Sequence, residues 1–147
     1  MRLRLLCIGR NARDPLLDAA QKYQQRIGKF ASIQVLRLKE GQLQSECQQI
    51  ESKLQPKDYI IALDEHGQAL RTTELATNLQ GFADNGIADI VFLIGGANGL
   101  HPNLKKRARQ LWALSALTLP HRLAQVVLLE QIYRAFSINH GLPYHRP

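Results

Sequence analysis

The sequence predicts an α/β protein with a mostly parallel sheet that helices cover on both faces. Two short runs, YIIAL at residues 59–63 and IVFLI at residues 90–94, are continuously apolar, which is typical of strands buried on both faces. Segments with apolar residues at helical spacing separate these and the other strand-like runs. Because strands and helices alternate throughout the 147 residues, we expect a single domain, residues 1–147.

The first half of the chain is predicted to form two strand–helix units. Residues 2–9 form a strand, and the first helix begins at Asp14–Pro15, since Asp caps helix N-termini and Pro suits the first turn. Gly28 ends this helix, and its apolar stripe consists of Leu16, Leu17, Ala20, Tyr23 and Ile27. A strand at residues 33–38 and a helix at residues 43–54 follow.

Each of the two buried runs begins a further unit in the second half. The helices are expected at about residues 73–85 and, short and basic, at about residues 103–110. The last strand is predicted at Ser115–Leu119, because Pro120 has no N–H to donate to a sheet. A long helix follows from Leu123. In such sheets ligands bind beyond the carboxyl ends of the strands, so the candidate binding loops follow Leu63, Ile94 and Leu117.

Composition favours a polyanionic partner and a reducing compartment. Lys and Arg number 19 against 12 Asp and Glu, which gives a net charge of +7. Two cysteines without C-x-x-C spacing indicate small core residues in a cytoplasmic protein. The N-terminus has no signal-peptide pattern, and no apolar run approaches the roughly 20 residues of a membrane helix. We therefore expect no membrane partner.

A glycine-rich segment, GGANGL at residues 95–100, follows a predicted strand. It matches neither the G-x-G-x-x-G fingerprint nor a phosphate-binding P-loop, which disfavours a dinucleotide or nucleoside triphosphate. The residues alone leave a plain turn and a ligand loop about equally open. No HExxH motif, Cys/His cluster or carboxylate pair at metal spacing occurs, so no metal site is expected.

Several polar residues near the C-terminus suit work on a nucleic acid. His121 is eligible as a proton acceptor, and Glu130 and Arg134 are four residues apart on one helix face. The tail ends in Tyr144, His145 and Arg146, which can stack on a base and bind phosphate, although chain termini usually fray. A basic group that could contact phosphates comprises Lys105, Lys106, Arg107 and Arg109, with Arg122 nearby in sequence.

Four motifs together resemble the RlmH family of SPOUT methyltransferases. They are LIGG-x-x-GL at residues 93–100, SALTLPH at residues 115–121, EQ-x-YRA at residues 130–135 and PYHR at residues 143–146. Members of this family are small homodimers that methylate N3 of a pseudouridine in 23S rRNA with S-adenosylmethionine. The resemblance covers the whole chain and implies a C-terminal trefoil knot, a topology that general rules treat as exceptional.

The resemblance also implies roles for individual residues. Backbone groups of three loops would hold S-adenosylmethionine, at Leu63, Gly96, Ser115, Ala116, Leu117, Thr118, Leu119 and Pro120. The catalytic set would be His121, Arg134, Tyr144, His145 and Arg146, with the tail completing the partner subunit's site and Glu130 orienting Arg134. Gln125 stands where relatives often carry Arg, and Arg122 is three residues away on the same helix face.

Some alternatives remain open at the level of sequence. The proton of the substrate imide would pass to His121, His145 or solvent. The same basic surface would also suit a noncatalytic module that binds RNA or the ribosome and does not bind S-adenosylmethionine. A nucleotide-binding α/β domain that acts on small molecules is disfavoured because the phosphate-binding fingerprints are absent.

Overall fold

The computed structural model describes all 147 residues and contains five strands and five helices. In chain order they are β1 (Arg2–Ile8), α1 (Pro15–Ile27), β2 (Ser32–Leu38), α2 (Leu43–Glu51), β3 (Tyr59–Ala69), α3 (Thr72–Asp84), β4 (Asp89–Ile94), α4 (Pro102–Arg107), β5 (Gln110–Ala113) and α5 (His121–Asn139). Strands and helices alternate as predicted. Asp14 caps α1 with a side-chain hydrogen bond from the Leu16 N–H, and Pro15 is the first helical residue.

The five strands form one sheet in the order β2-β1-β4-β3-β5, and every neighbouring pair is parallel. The prediction of a parallel sheet is confirmed. All five strands therefore end at the same edge, which we call the carboxyl edge. Strand β3 extends past its apolar run to Ala69, with a shift in its pairing to β5 between Leu63 and Gln68.

Helices cover both faces of the sheet, as the sequence predicts. Alternate residues of β1 show the division: Leu3 and Leu5 belong to the core under α1, α3 and α5, and Leu6 and Ile8 to the core under α2 and α4. Both cysteines are free and buried, and burial raises the pKa of each thiol to about 11. No helix combines the length and the apolar character needed to cross a membrane.

The prediction of a strand at Ser115–Leu119 is wrong. The last strand is β5, five residues earlier, because residues 110–113 are the ones that pair with β3 and the Trp112 side chain fills the core beside Phe92. Residues 115–120 leave the sheet as a loop, and the Leu117 side chain is 75% exposed. Helix α4 accordingly ends at Arg107, since Gln110 already belongs to β5.

Candidate active site

A cavity of about 600 Å³ opens at the carboxyl edge, between residues 63–65 of β3, where its pairing to β5 is interrupted, and the loops that follow β4 and β5. The predicted binding loops after Leu63, Ile94 and Leu117 all contribute, but the prediction of a loop directly after Leu63 is wrong, because β3 continues to Ala69, and the third loop begins earlier than expected. Of the residues predicted to hold a cofactor, all line this cavity except Ala116. They are Leu63, Gly96, Ser115, Leu117, Thr118, Leu119 and Pro120.

The glycine loop after β4 is a tight turn that forms one wall of the cavity. Gly99 donates its N–H to the Gly96 carbonyl at 3.0 Å and has a φ of +72°. A Cβ on Gly95 would overlap the Gly99 carbonyl group, and a Cβ on Gly96 would lie 2.9 Å from Cγ2 of Ile8. Both glycines are therefore required for packing behind the loop, and Gly96 faces the cavity with its backbone only.

Polar side chains at the cavity are anchored to one another across the loops. Thr118 Oγ1 donates to Glu65 at 3.1 Å, and Lys105 forms an ion pair with Asp64 at 3.3 Å. The remaining lining is mostly backbone and apolar side chains. An adenosyl group suits such a wall, and the two carboxylates suit a positively charged sulfonium. The lining residues therefore fit S-adenosylmethionine.

His121 is the first residue of α5, and its side chain lines the cavity. Its Nε2 atom is buried and has no hydrogen-bond partner in the chain. Gly9 makes room for this ring: its φ is +122°, and a Cβ there would be 3.2 Å from Nε2. Sequence reasoning missed Gly9, because nothing in the pattern shows that the loop after β1 approaches the start of α5.

A second polar cluster lies on the C-terminal half of α5 and on the tail that follows it. Arg134 and Glu130 form an ion pair at 2.6 Å, and the Tyr144 hydroxyl donates to Glu130 at 3.1 Å. The Arg134 guanidinium lies 4.6 Å from the centre of the Tyr144 ring, and His145 Nδ1 is 3.3 Å from Arg134. We call Glu130, Arg134, Tyr144 and His145 the tail cluster. Arg146 is exposed and forms no ion pair.

The contacts of the tail cluster determine its protonation states. Burial, together with hydrogen bonds to Tyr23 and Glu130, raises the pKa of Tyr144 to about 12, so the phenol remains a donor at neutral pH. The hydrogen bond to Glu130 raises the pKa of Arg134 above its ordinary value. The Tyr144 ring also packs edge-on against Tyr133 at 4.7 Å between centroids. The tail is therefore anchored to its own helix and not frayed.

The tail cluster lies further along α5 than the cavity within one chain. His121 and Arg134 are 13 residues apart on α5, which corresponds to about 20 Å along a helix. None of the predicted catalytic residues Arg134, Tyr144, His145 and Arg146 lines the cavity. One chain thus brings together the predicted cofactor residues and His121, but not the predicted tail residues.

Several cations of the predicted basic group have structural partners. Lys105 pairs with Asp64, Arg109 lies over the Tyr59 ring at 5.8 Å, and Arg122 pairs with the helix cap Asp14 at 2.7 Å. Gln125 is only 1% exposed and accepts a hydrogen bond from Arg37 at 3.1 Å. Lys106 and Arg107 form no ion pair. Sequence shows where charges occur but not which of them are already paired.

No group of three or more His, Cys, Asp or Glu side chains lies close enough together to hold a metal ion.

Comparison with known proteins agrees with this geometry. The family model described as "Predicted SPOUT methyltransferase" matches residues 1–145. The ribosomal RNA large subunit methyltransferase H of Polynucleobacter asymbioticus is 42% identical, and that of Nitrosomonas eutropha is 40% identical. Each alignment covers 99% of this chain and 99% of the relative.

The solved structures show the same fold at much lower sequence identity. A probable methyltransferase from Bordetella pertussis Tohama I superposes with a TM-score of 0.58 at 12% identity, covering 91% of this chain and 95% of that one. A shared fold at 12% identity does not establish a family. The match of residues 1–145 to the family model and the identities of 40% and 42% do establish it. This chain belongs to the SPOUT methyltransferases and, among them, to the family of ribosomal RNA large subunit methyltransferase H.

Proposed function

We propose that this chain is an S-adenosylmethionine-dependent methyltransferase that modifies N3 of a pseudouridine in 23S rRNA in the cytoplasm. It acts as a homodimer of single-domain subunits, residues 1–147, each with a C-terminal trefoil knot. One observation carries the proposal. Residues 63–65 of β3 and the loops after β4 and β5 enclose a cavity lined largely by backbone and apolar groups, and the His121 side chain forms part of its wall.

The chain's own residues mainly position the reactants. S-adenosylmethionine supplies an electrophilic methyl carbon on a sulfonium. Backbone groups at Leu63, at Gly96, at Ser115 and in residues 117–120 would hold the cofactor, and the carboxylates of Asp64 and Glu65 would favour its positive charge. Methyl transfer is an in-line displacement, so alignment of the acceptor nitrogen and exclusion of water supply most of the acceleration.

The acceptor nitrogen must lose its proton before or during attack. Among His121, His145 and solvent, we propose His121 as the acceptor, because its side chain lines the cavity and the side chain of His145 does not. His145 instead contacts Arg134 through Nδ1.

The distance between the cavity and the tail cluster supports a shared site. His121 and Arg134 are about 20 Å apart along α5, and no residue of the tail cluster lines the cavity, so we infer that the two meet at one nucleotide across a dimer. In a two-fold dimer with antiparallel α5 helices, the tail cluster of one subunit lies beside the cavity of its partner. Arg134, Tyr144, His145 and Arg146 then bind and orient the nucleotide while the partner's cavity presents the methyl group.

The test is calorimetric titration with S-adenosylmethionine, followed by methyl transfer from the radiolabelled cofactor to large ribosomal subunits that lack the modification. Ala97→Trp places a large ring at the cavity wall, where Ala97 is exposed, and should abolish cofactor binding. Ala83→Trp makes the same change at an exposed position on α3 and should leave binding intact. RNA binding by a folded protein that takes up no S-adenosylmethionine would refute the proposal in favour of a noncatalytic RNA-binding module.

A further inference from the structure

The loop after β1, residues 9–14, forms an outer wall beside the mouth of the cavity. Gly9 donates its N–H to the Leu38 carbonyl at 2.7 Å and packs against the His121 ring. Asn11 accepts a hydrogen bond from Arg37 at 3.1 Å, and Asp14 pairs with Arg122 at 2.7 Å. The loop is therefore fastened at its start and middle to β2 and at its end to α5, the helix that begins with His121.

The charges of this region divide into two groups. Arg37 and Arg122 are occupied in fastening the loop. Arg10, Arg13 and the neighbouring Lys39 are exposed and form no ion pair. Glu40 is exposed at the same edge, with one carboxylate oxygen 3.5 Å from where a Gly9 Cβ would lie. The wall thus presents three free cations and one free acid to solvent.

We propose that this wall, residues 10–13 with Lys39, binds the sugar-phosphate backbone of RNA that enters the cavity. The inference rests on the proposed function, and it adds a surface that neither the motifs nor the basic group at residues 105–109 indicates. Arginine forks bind phosphate oxygens bidentately, and such contacts position a strand without reading its sequence. Gly9, which precedes these residues, packs against the His121 ring at the cavity wall, so an RNA strand with one nucleotide in the cavity would continue past these cations.

The binding assay uses the full-length protein and a short fluorescein-labelled RNA hairpin with a single-stranded loop, and it is repeated with large ribosomal subunits. The affinity is measured by anisotropy for the hairpin and by co-sedimentation for the subunits, at several salt concentrations. The test variant is Arg10→Gln/Arg13→Gln. The matched control is Lys29→Gln/Lys53→Gln, which removes two exposed, unpaired cations from the opposite edge of the sheet.

The expected effect follows from counterion release. Each phosphate contact contributes about 0.7–0.9 to the slope of log affinity against log salt, so the test variant should lose about 1.4–1.8 of that slope. Between about 50 and about 200 mM salt, the wild type should then lose about tenfold more affinity than the test variant. Glu40→Gln should change affinity in the opposite direction, since it removes the one free acid of the wall.

The outcomes separate this inference from the proposed function. Equal slopes for wild type and test variant, or an equal loss in the control, would overturn the role of the wall. An altered slope for the hairpin but not for ribosomal subunits would also overturn it for the proposed substrate. If the wild type transfers no methyl group but the salt slope of the test variant falls as expected, the wall binds RNA and the proposed function is wrong. Far-UV circular dichroism, which does not depend on cofactor binding, serves as the check that each variant is folded.

Discussion

The substitution Gly95→Ala tests whether the glycine loop depends on the close main-chain contact between Gly95 and Gly99. An added methyl group would overlap the Gly99 carbonyl and lie 2.9 Å from the Leu100 nitrogen. All of these are main-chain atoms, so no side chain can rotate away and the loop itself must move. Overpacking of this kind costs about 1–3 kcal/mol of folding free energy. Displacement of the cavity wall should also lower the affinity for S-adenosylmethionine tenfold or more, equivalent to about 1.4 kcal/mol.

Gly81→Ala is the matched control, because it adds the same methyl group where nothing lies within 4 Å. Gly81 is within α3, where alanine is favoured over glycine by about 0.5–1 kcal/mol. Urea unfolding should therefore show a loss of stability for Gly95→Ala and a gain for Gly81→Ala, and calorimetry should show weakened cofactor binding only for the former. If Gly95→Ala unfolds and binds like the wild type, the tight contact does not shape the site.

Three further predictions concern the tail cluster and the dimer. The alkaline absorbance difference between wild type and Tyr144→Phe should titrate near pH 12 rather than the ordinary value of about 10. A raised pKa means that the Tyr144 contact stabilises the fold below pH 10 and that this contribution is lost between about pH 10 and 12; a midpoint near 10 would contradict the buried contact. Glu130→Gln removes the charge that orients Arg134, so methyl transfer to ribosomal subunits should fall about 10²-fold while calorimetry shows unchanged affinity for S-adenosylmethionine. Light scattering at micromolar concentration should give twice the 16.6 kDa chain mass; a monomer would contradict the shared site.

Local rules predicted the parts of the fold that depend on periodicity. The continuous apolar runs at residues 59–63 and 90–94 are central strands because both faces of the sheet are covered. Asp14 and Pro15 begin α1 as their capping chemistry requires. The prediction of a strand at Ser115–Leu119 was wrong because a loop that lines a cavity is also rich in small and apolar residues. Composition therefore does not distinguish such a loop from a buried strand.

Long-range contacts account for what the sequence did not show. Gly9 is a part of the site only because β1 ends beside the start of α5, and the two are more than 100 residues apart in the chain. The sequence gives no sign that Arg122 is paired, because its partner Asp14 is more than 100 residues away in the chain and is brought next to it only by the fold. The anchoring of the tail likewise depends on Glu130, whose role as acceptor for Tyr144 no spacing rule reveals.

The parallel sheet has a practical consequence for handling the protein. Met1 precedes β1 at the edge opposite the cavity, whereas the chain ends three residues after Tyr144, beside the tail cluster. Affinity tags and surface attachment chemistry therefore belong at the N-terminus. A C-terminal tag would crowd the residues that anchor the tail. The methyl-transfer activity measured for a protein immobilised through its C-terminus would therefore be too low, for a reason unrelated to its catalytic chemistry.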